Sequence, residues 1–355
     1  MPPHAAIPPG RAAMATLVSA EGSSPRDAGS RMWVDESGAI VGSVTIGGCV
    51  DARVIEASSR ALADGVPALL SMELGDEDAW TLGMTCAGTI EVLVEPVDGS
   101  RVDDPVGLTL REARSAVERG RVAVVVAPLS GVPRRLLVTD DGQERGSLGD
   151  GDLDVAAAIE ARRLLAAGAS GVHPVAAGGQ SHRLYFERHA PPLTLVVFGA
   201  THVAVPLVAL AGVLGLRTAV VDGRARFATR ERFPGADDLL VGMPSELAAR
   251  MALGRESLVV LLAHDSKYDL PVLRAVLASD AAYVGVLGSR RRGRALLEYL
   301  AQEGVPADQL ARVRVPVGLD IGARSAEEIA LSVLAEALAV HRGRSGGSLR
   351  DRSQP

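Results

Sequence analysis

With 355 residues, the chain is long enough for two or three domains with substantial cores. A hydrophobic content of 47%, a charged content of 23% and a net charge of −6 fit a globular protein and argue against a nucleic-acid surface. Met1 to Arg11 has no apolar signal-like core, and no apolar run is long enough to propose a membrane span, so the expectation is a cytoplasmic protein. Its two cysteines, Cys49 and Cys86, are then thiols.

Residues 1–11 are Pro-rich and read as disordered. Strands are expected at Met14 to Ala20, Ser30 to Val34 and Ala39 to Ile46, with a hairpin turn over Asp35 to Gly38. Gly47-Gly48-Cys49 leads into a helix from Val50 to Ala63. Strands at Ala68 to Glu73 and Thr89 to Glu95 flank a Gly-bounded loop that holds Cys86. A second segment has the same layout. Strands at Arg121 to Leu129 and Arg135 to Thr139 are followed by Gly146-Ser147, a helix near Asp154 to Ala167, and strands near Val172 to Ala176 and His182 to Glu187. The match points to a degenerate internal duplication. Chance similarity between two Ala/Arg-rich helices is the alternative. The expected units are 12–98 and 99–190, with Pro191-Pro192 as a linker.

Residues 193–342 follow another pattern. Leu195 to Phe198 is a short apolar run, as in a central parallel strand. Gly199 turns the chain into a helix over Val203 to Leu214, and Thr218 to Val221 is a second buried strand that ends on Asp222 and Arg224. Strand, glycine turn, helix, strand and acid open a dinucleotide-binding fold. Further strands at 239–241, 258–262 and 283–286 alternate with helices near 245–253, 269–278, 289–303 and 325–341. The expected class is α/β: a C-terminal Rossmann-like doubly wound parallel sheet preceded by a duplicated α+β region. Residues 343–355 read as a flexible tail.

Several residues could carry chemistry. Ser23, Ser24 and Arg26 offer hydroxyls and a cation in a loop that is either a phosphate loop or a surface turn. Cys49 follows Gly47 and Gly48 at a helix N-terminus, which favours a thiolate. Cys49 and Cys86 could meet at a soft metal, or be two inert buried thiols. Gly199, Thr201 and His202 form the turn of the second half. Thr201 stands where the dinucleotide fingerprint has its second glycine, which weakens an NAD(P) site. Asp222 could hold a ribose and Arg224 a phosphate. His264 and Asp265 follow the fourth strand, where polar residues face the crevice or cap a helix. Ser289 opens an Arg-rich helix that looks anion-binding. No hydrolase, P-loop or zinc-protease motif is present, so no residue is assigned as catalytic.

Taken together, these segments resemble the XdhC/CoxI family of molybdenum-hydroxylase maturation factors. The resemblance rests on Gly22-Ser23-Ser24-Pro25-Arg26, Gly47-Gly48-Cys49, the Cys86 loop and the turn from Gly199 to Ala204. It also rests on Val221 to Arg224, Glu231-Arg232-Phe233-Pro234, Tyr283 to Arg290 and Pro316 to Gly322. Asp51 replaces the family's usual Glu, Ala87 a Gly and Thr201 a Gly. The resemblance implies binding of molybdenum cofactor of the molybdopterin type, sulfuration by a cysteine desulfurase, and delivery to the large subunit of a xanthine or carbon monoxide dehydrogenase. A homodimer is a further expectation. Cys49 and Cys86 would contact the metal centre. The rival readings are an NAD(P)-binding oxidoreductase that uses the same crevice and a docking scaffold without ligand.

Overall fold

The computed structural model describes residues 7–22, 28–44, 48–74, 88–263, 266–348 and 350, without the side chains of 22, 48, 49, 74 and 266. The chain divides into two compact units, Met1–Pro191 and Pro192–Pro355.

In the first unit, β1 (Arg11–Gly22), β2 (Arg31–Asp35), β3 (Ile40–Gly42), β4 (Ala68–Leu74) and β5 (Gly88–Asp98) form a five-stranded sheet of order β3-β2-β1-β5-β4, with α1 (Gly48–Asp64) between β3 and β4. Next comes α2 (Pro105–Glu118). A second sheet holds β6 (Ala123–Pro128), β7 (Arg135–Thr139), β8 (Glu144–Ser147), β9 (Gly171–Ala177) and β10 (Gln180–His189), with α3 (Gly151–Ala167) between β8 and β9. Its order is β8-β7-β6-β10-β9, which repeats the first sheet strand for strand. The β2–β3 turn is tied by Asp35, whose carboxylate accepts the Ser37 and Ala39 N–H groups at 2.8 and 2.9 Å.

Side chains alternate between the faces of each sheet. Ala13, Ala15, Leu17, Val92 and Val94 lie in one core with Val54 and Ala61 of α1. Val124, Val126, Leu184 and Phe186 pack with Ala157, Ala161 and Leu164 of α3. The opposite faces meet, with Val18 and Leu93 packed on Ala127, Leu129 and Tyr185. The strand pattern therefore reads as apolar on both faces of the central strands, as burial between a helix and a second sheet requires.

α2 is absent from the sequence expectations. Asp104 caps it by accepting the Gly107 N–H at 2.7 Å, and Pro105 occupies its first turn, where a missing N–H costs nothing. Its N-terminal half packs Val106 and Leu110 on Met14, Trp33 and Val97, and its C-terminal half packs Ala113 and Ala116 on Val125 and Leu137. One helix thus spans both sheets. Ile7, within the stretch read as disordered, packs on the same cluster. β3 is three exposed residues rather than the expected run from Ala39 to Ile46; part of that run lies outside the described residues.

The second unit contains β11 (Thr194–Phe198), α4 (Ala204–Val213), β12 (Arg217–Asp222), β13 (Asp238–Val241), α5 (Pro244–Arg250), β14 (Ser257–Leu261), α6 (Ser266–Leu277), β15 (Tyr283–Val286), α7 (Arg290–Gln302), α8 (Ala307–Leu310), β16 (Val313–Arg314) and α9 (Ala326–His341). The six strands are all parallel, in order β13-β12-β11-β14-β15-β16. This is the doubly wound dinucleotide-fold order, and β11 lies inside the sheet as its unbroken apolar run requires. Leu195 and Val197 face α4 and α9, while Val196 and Phe198 face α6 and its neighbours.

Two family-like motifs of this unit turn out to be packing devices. A Cβ at Gly285 would lie 2.5 Å from Val317 and 2.8 Å from the Tyr283 ring. Gly318, at φ +105°, faces Ser332, and its N–H bonds Glu336 at 2.9 Å. Glu336 also accepts the Tyr283 hydroxyl. Burial first, then that carboxylate, pushes the Tyr283 hydroxyl far above its ordinary range.

Candidate functional site

The crevice at the carboxyl ends of β11, β12 and β14 is built around Gly199. Its φ is +106°, and a Cβ there would lie 2.9 Å from the Ala263 backbone nitrogen. Only glycine meets both conditions. Asp222 ends β12 and is buried. Its Oδ2 accepts the Ala200 N–H and an Arg224 Nη at 2.8 Å each, and its Oδ1 accepts the Arg224 N–H and Nε at 2.9 Å each. Four bonds fill the acceptor sites of a carboxylate. Burial works to raise the Asp222 pKa, but the hydrogen bonds from Arg224 and Ala200 and the Arg224 charge outweigh it, and the pKa falls below the ordinary aspartate value.

Arg232 holds the same turn from the other side, donating to the carbonyls of Ala200 at 2.9 Å and Phe227 at 2.8 Å. The Thr201 N–H is turned back onto the Gly199 carbonyl at 2.8 Å, and the Thr201 hydroxyl is buried without a partner among the described residues. Two of the amides that could meet a pyrophosphate are therefore engaged within the protein, as is the acid that would take a ribose. The obstacle to a dinucleotide is this clamp as well as the Thr201 side chain.

Beside the clamp is a cleft of about 300 Å³, bordered by Gly199, Asp222, Arg224, Met243, Pro244 and Tyr268. Arg224 lies 4.3 Å from the Phe227 ring centre and remains half exposed, so its charge borders the cleft. Among its described lining residues the cleft offers apolar walls, one cation and the carboxylates of Asp222 and Asp269, which suits a flat heterocycle better than an extended pyrophosphate. His202 is exposed, and Glu327 of α9 is held below its ordinary value chiefly by hydrogen bonds from its own backbone N–H and the Ser325 hydroxyl. Ser289 caps α7, accepting the Arg292 N–H at 3.3 Å, and Arg292 in turn bonds the buried Asp269 at 3.1 Å. Gly199, Asp222 and Arg224 thus share one cleft that Ser289 and His202 do not line. His264 and Asp265 lie outside the described residues. Arg232 and the Gly242-Met243-Pro244 turn are additions to the expected site; the turn follows β13, and the carboxyl-end rule points to it.

In the first unit, α1 begins at Gly48, so Cys49 lies in its first turn, as expected from Gly47-Gly48-Cys49. Asp51 in that turn accepts the Ser43 hydroxyl at 3.4 Å. Ser23, Ser24, Arg26, Gly47 and Cys86 lie outside the described residues, as does the side chain of Cys49. Among the described residues there is no cluster of three or more metal-ligating side chains, and no helix is long and apolar enough to cross a membrane.

A parallel sheet with a glycine turn and an acid-ended second strand defines a Rossmann-type domain, preceded here by paired α+β sheets. Residues 195–337 match the XdhC Rossmann domain, and residues 9–73 match the XdhC and CoxI family. The chain belongs to the XdhC and CoxI family. It is 29% identical over 329 residues to a Bacillus subtilis (strain 168) protein named as a probable xanthine dehydrogenase subunit, covering 92% of each protein. It is 38% identical over 93 residues to the molybdenum cofactor insertion chaperone PaoD of Escherichia coli (strain K12), covering 26% of this chain and 29% of that protein. A crystal structure of a Bacillus halodurans protein described as a xanthine dehydrogenase superposes with a TM-score of 0.71 at 27% identity, covering 96% of this chain and 94% of that one.

Proposed function

We propose that this chain binds molybdenum cofactor as cargo and delivers it to the large subunit of a molybdenum hydroxylase of the xanthine or carbon monoxide dehydrogenase type. The observation that carries the reading is the placement of Cys49 in the first turn of α1, within the segment that matches the XdhC and CoxI family. First-turn N–H groups and the positive end of the helix dipole favour a thiolate, and a thiolate is a good ligand for a soft metal–sulfur centre. The relation to PaoD points to the same cargo. Cys86 would supply a second thiol, and a cysteine desulfurase would supply sulfur while the cargo is held. The loop at Ser23, Ser24 and Arg26 would take the phosphate of the pterin. The Gly199–Asp222 cleft would hold the flat pterin or a nucleotide tail, with His202, His264, Asp265 and Ser289 as outlying members. The engaged Asp222 carboxylate speaks against the rival oxidoreductase reading.

The test is Cys49→Ala purified from cells that make the cofactor. Molybdenum content and pterin fluorescence should fall while the melting temperature stays unchanged, because the change removes a ligand and little volume. Equal retention in a Cys49→Ala, Cys86→Ala double variant would sink the thiol-based part of the reading.

A further inference from the structure

A separate cavity of about 520 Å³ opens in the first unit, where α2 meets β2 and the end of β10. Arg31, Arg111, Arg114 and Arg188 line it together with His189, and among the described residues no carboxylate lines it. Ile7 and Val117 give it apolar walls, edged by the buried Trp33 and Leu110. Spacing on α2 produces this composition, because residues 110, 111, 114 and 117 fall on one helical stripe. None of these residues belongs to the Gly-Gly-Cys turn or to the Rossmann crevice.

Arg111 and Arg114 are held in place by contacts that leave their charge available to a ligand. Arg111 is anchored by the backbone carbonyls of Arg101 and Val102, at 3.3 and 2.7 Å, which orient a guanidinium without cancelling its charge. Arg31 pairs with Glu187, a carboxylate it shares with His189 at 3.4 Å. Arg114 pairs with Glu118 on the exposed helix surface, a contact that exchanges readily for a better acceptor. Guanidinium groups converging on an apolar pocket of this size match an anion with an organic body, and the planar fork suits phosphate oxygens.

We propose that this pocket binds a phosphorylated small molecule whose apolar body lies against Val117 and Ile7, close to the buried Trp33. The inference stands apart from the cargo reading, since no residue is shared. Trp33 is the reporter, and Trp80→Phe removes the other tryptophan of the chain. In that background, phenyl phosphate should change Trp33 emission saturably and at lower concentration than inorganic phosphate or phenol. Arg111→Ala with Arg114→Ala should weaken phenyl phosphate about tenfold or more without changing the thermal melt. Arg119→Ala, just past the end of the same helix and outside the pocket, should change nothing. No saturable signal, equal affinity in the double variant, or phenol binding as tightly as phenyl phosphate would each overturn the proposal.

Discussion

The two sheets of the first unit share strand order and hairpin layout, yet they treat the helix that follows differently. In the second copy the protein closes the helix end on itself. Asp150 accepts the Asp152 and Leu153 N–H groups at 2.9 and 3.1 Å. Asp154 accepts the Leu148 N–H and the Ser147 hydroxyl, both at 2.6 Å. In the first copy the matching contact, Ser43 to Asp51, is stretched to 3.4 Å, with the partners eight positions apart in sequence instead of seven. The residue before α1 is Gly47, which has no side chain to cap with. Gly42 and Gly146 open the two turns with φ of +86° and +81°, so the backbone approach is alike and the side chains make the difference. The second copy thus has a helix end satisfied from within, whereas the sequence of the first copy places a glycine, with no capping side chain, before α1. Under the cargo reading, this difference in sequence separates a packing copy from a ligand-binding copy.

The comparison depends on the two copies being locked together, and the lock is the largest effect to test. Arg135 of β7 and Glu95 of β5 form an ion pair with both side chains buried, and one Glu95 oxygen has no partner among the described residues. Arg135→Met leaves that carboxylate buried alone and should cost about 3–5 kcal/mol in urea unfolding. Arg183→Met removes the partner of Glu91 at the exposed rim and should cost about 1 kcal/mol or less. Equal losses would mean that the buried pair does not join the copies.

Next in size is the acid response of Glu187, at the same junction. Burial alone would raise its pKa; the Arg31 charge, then His189 and Arg135, outweigh this and lower it from 4.5 to about 2. A depressed folded pKa contributes stability above the unfolded value. That contribution is lost as pH falls from about 4.5 towards 2 and amounts to something on the order of 3 kcal/mol. Unfolding free energy measured across this window should fall less steeply in Glu187→Gln than in the wild type. Parallel slopes would remove Glu187 from the acid response.

Smaller still is the cap of the second copy. Asp150→Ala should cost about 1 kcal/mol, read as a drop of a few degrees in melting temperature. An unchanged melt would mean that water replaces the carboxylate without loss.

Much of this architecture is legible from one sequence because buried strands and glycine turns are local signals. Leu195 to Phe198 has no polar residue, so both of its faces must be covered, and Gly199 must turn. α2 carries an equally local signal in Asp104-Pro105, but it belongs to neither copy of the repeat, so pairing the copies passes over it. β8 is exposed along its whole length and polar, with no alternation to read. The engagement of Asp222 is a different matter. A strand-ending acid followed by Arg at the second position fits a ribose site as well as a closed clamp, and only side-chain placement decides between them. Arg232 reaches a turn some thirty residues earlier in the chain, which no spacing rule reveals.

The smallest expected effect on stability sharpens the comparison most. Gly47→Asp gives the first copy the capping residue of the second. Replacing a capping glycine by aspartate gains only a few tenths of a kcal/mol, because glycine leaves the first-turn N–H groups open to water. The melting temperature should therefore rise by a degree or so at most. Under the cargo reading the same change should lower molybdenum and pterin retention sharply, since a carboxylate would take the N–H groups and add negative charge beside the Cys49 thiolate. Gly47→Ala separates the two causes: it adds a methyl group but no acceptor, so it should retain more cargo than Gly47→Asp. If both variants bind cargo as the wild type does, the start of α1 is not where the ligand sits, and the sequence difference between the copies at this position reflects drift.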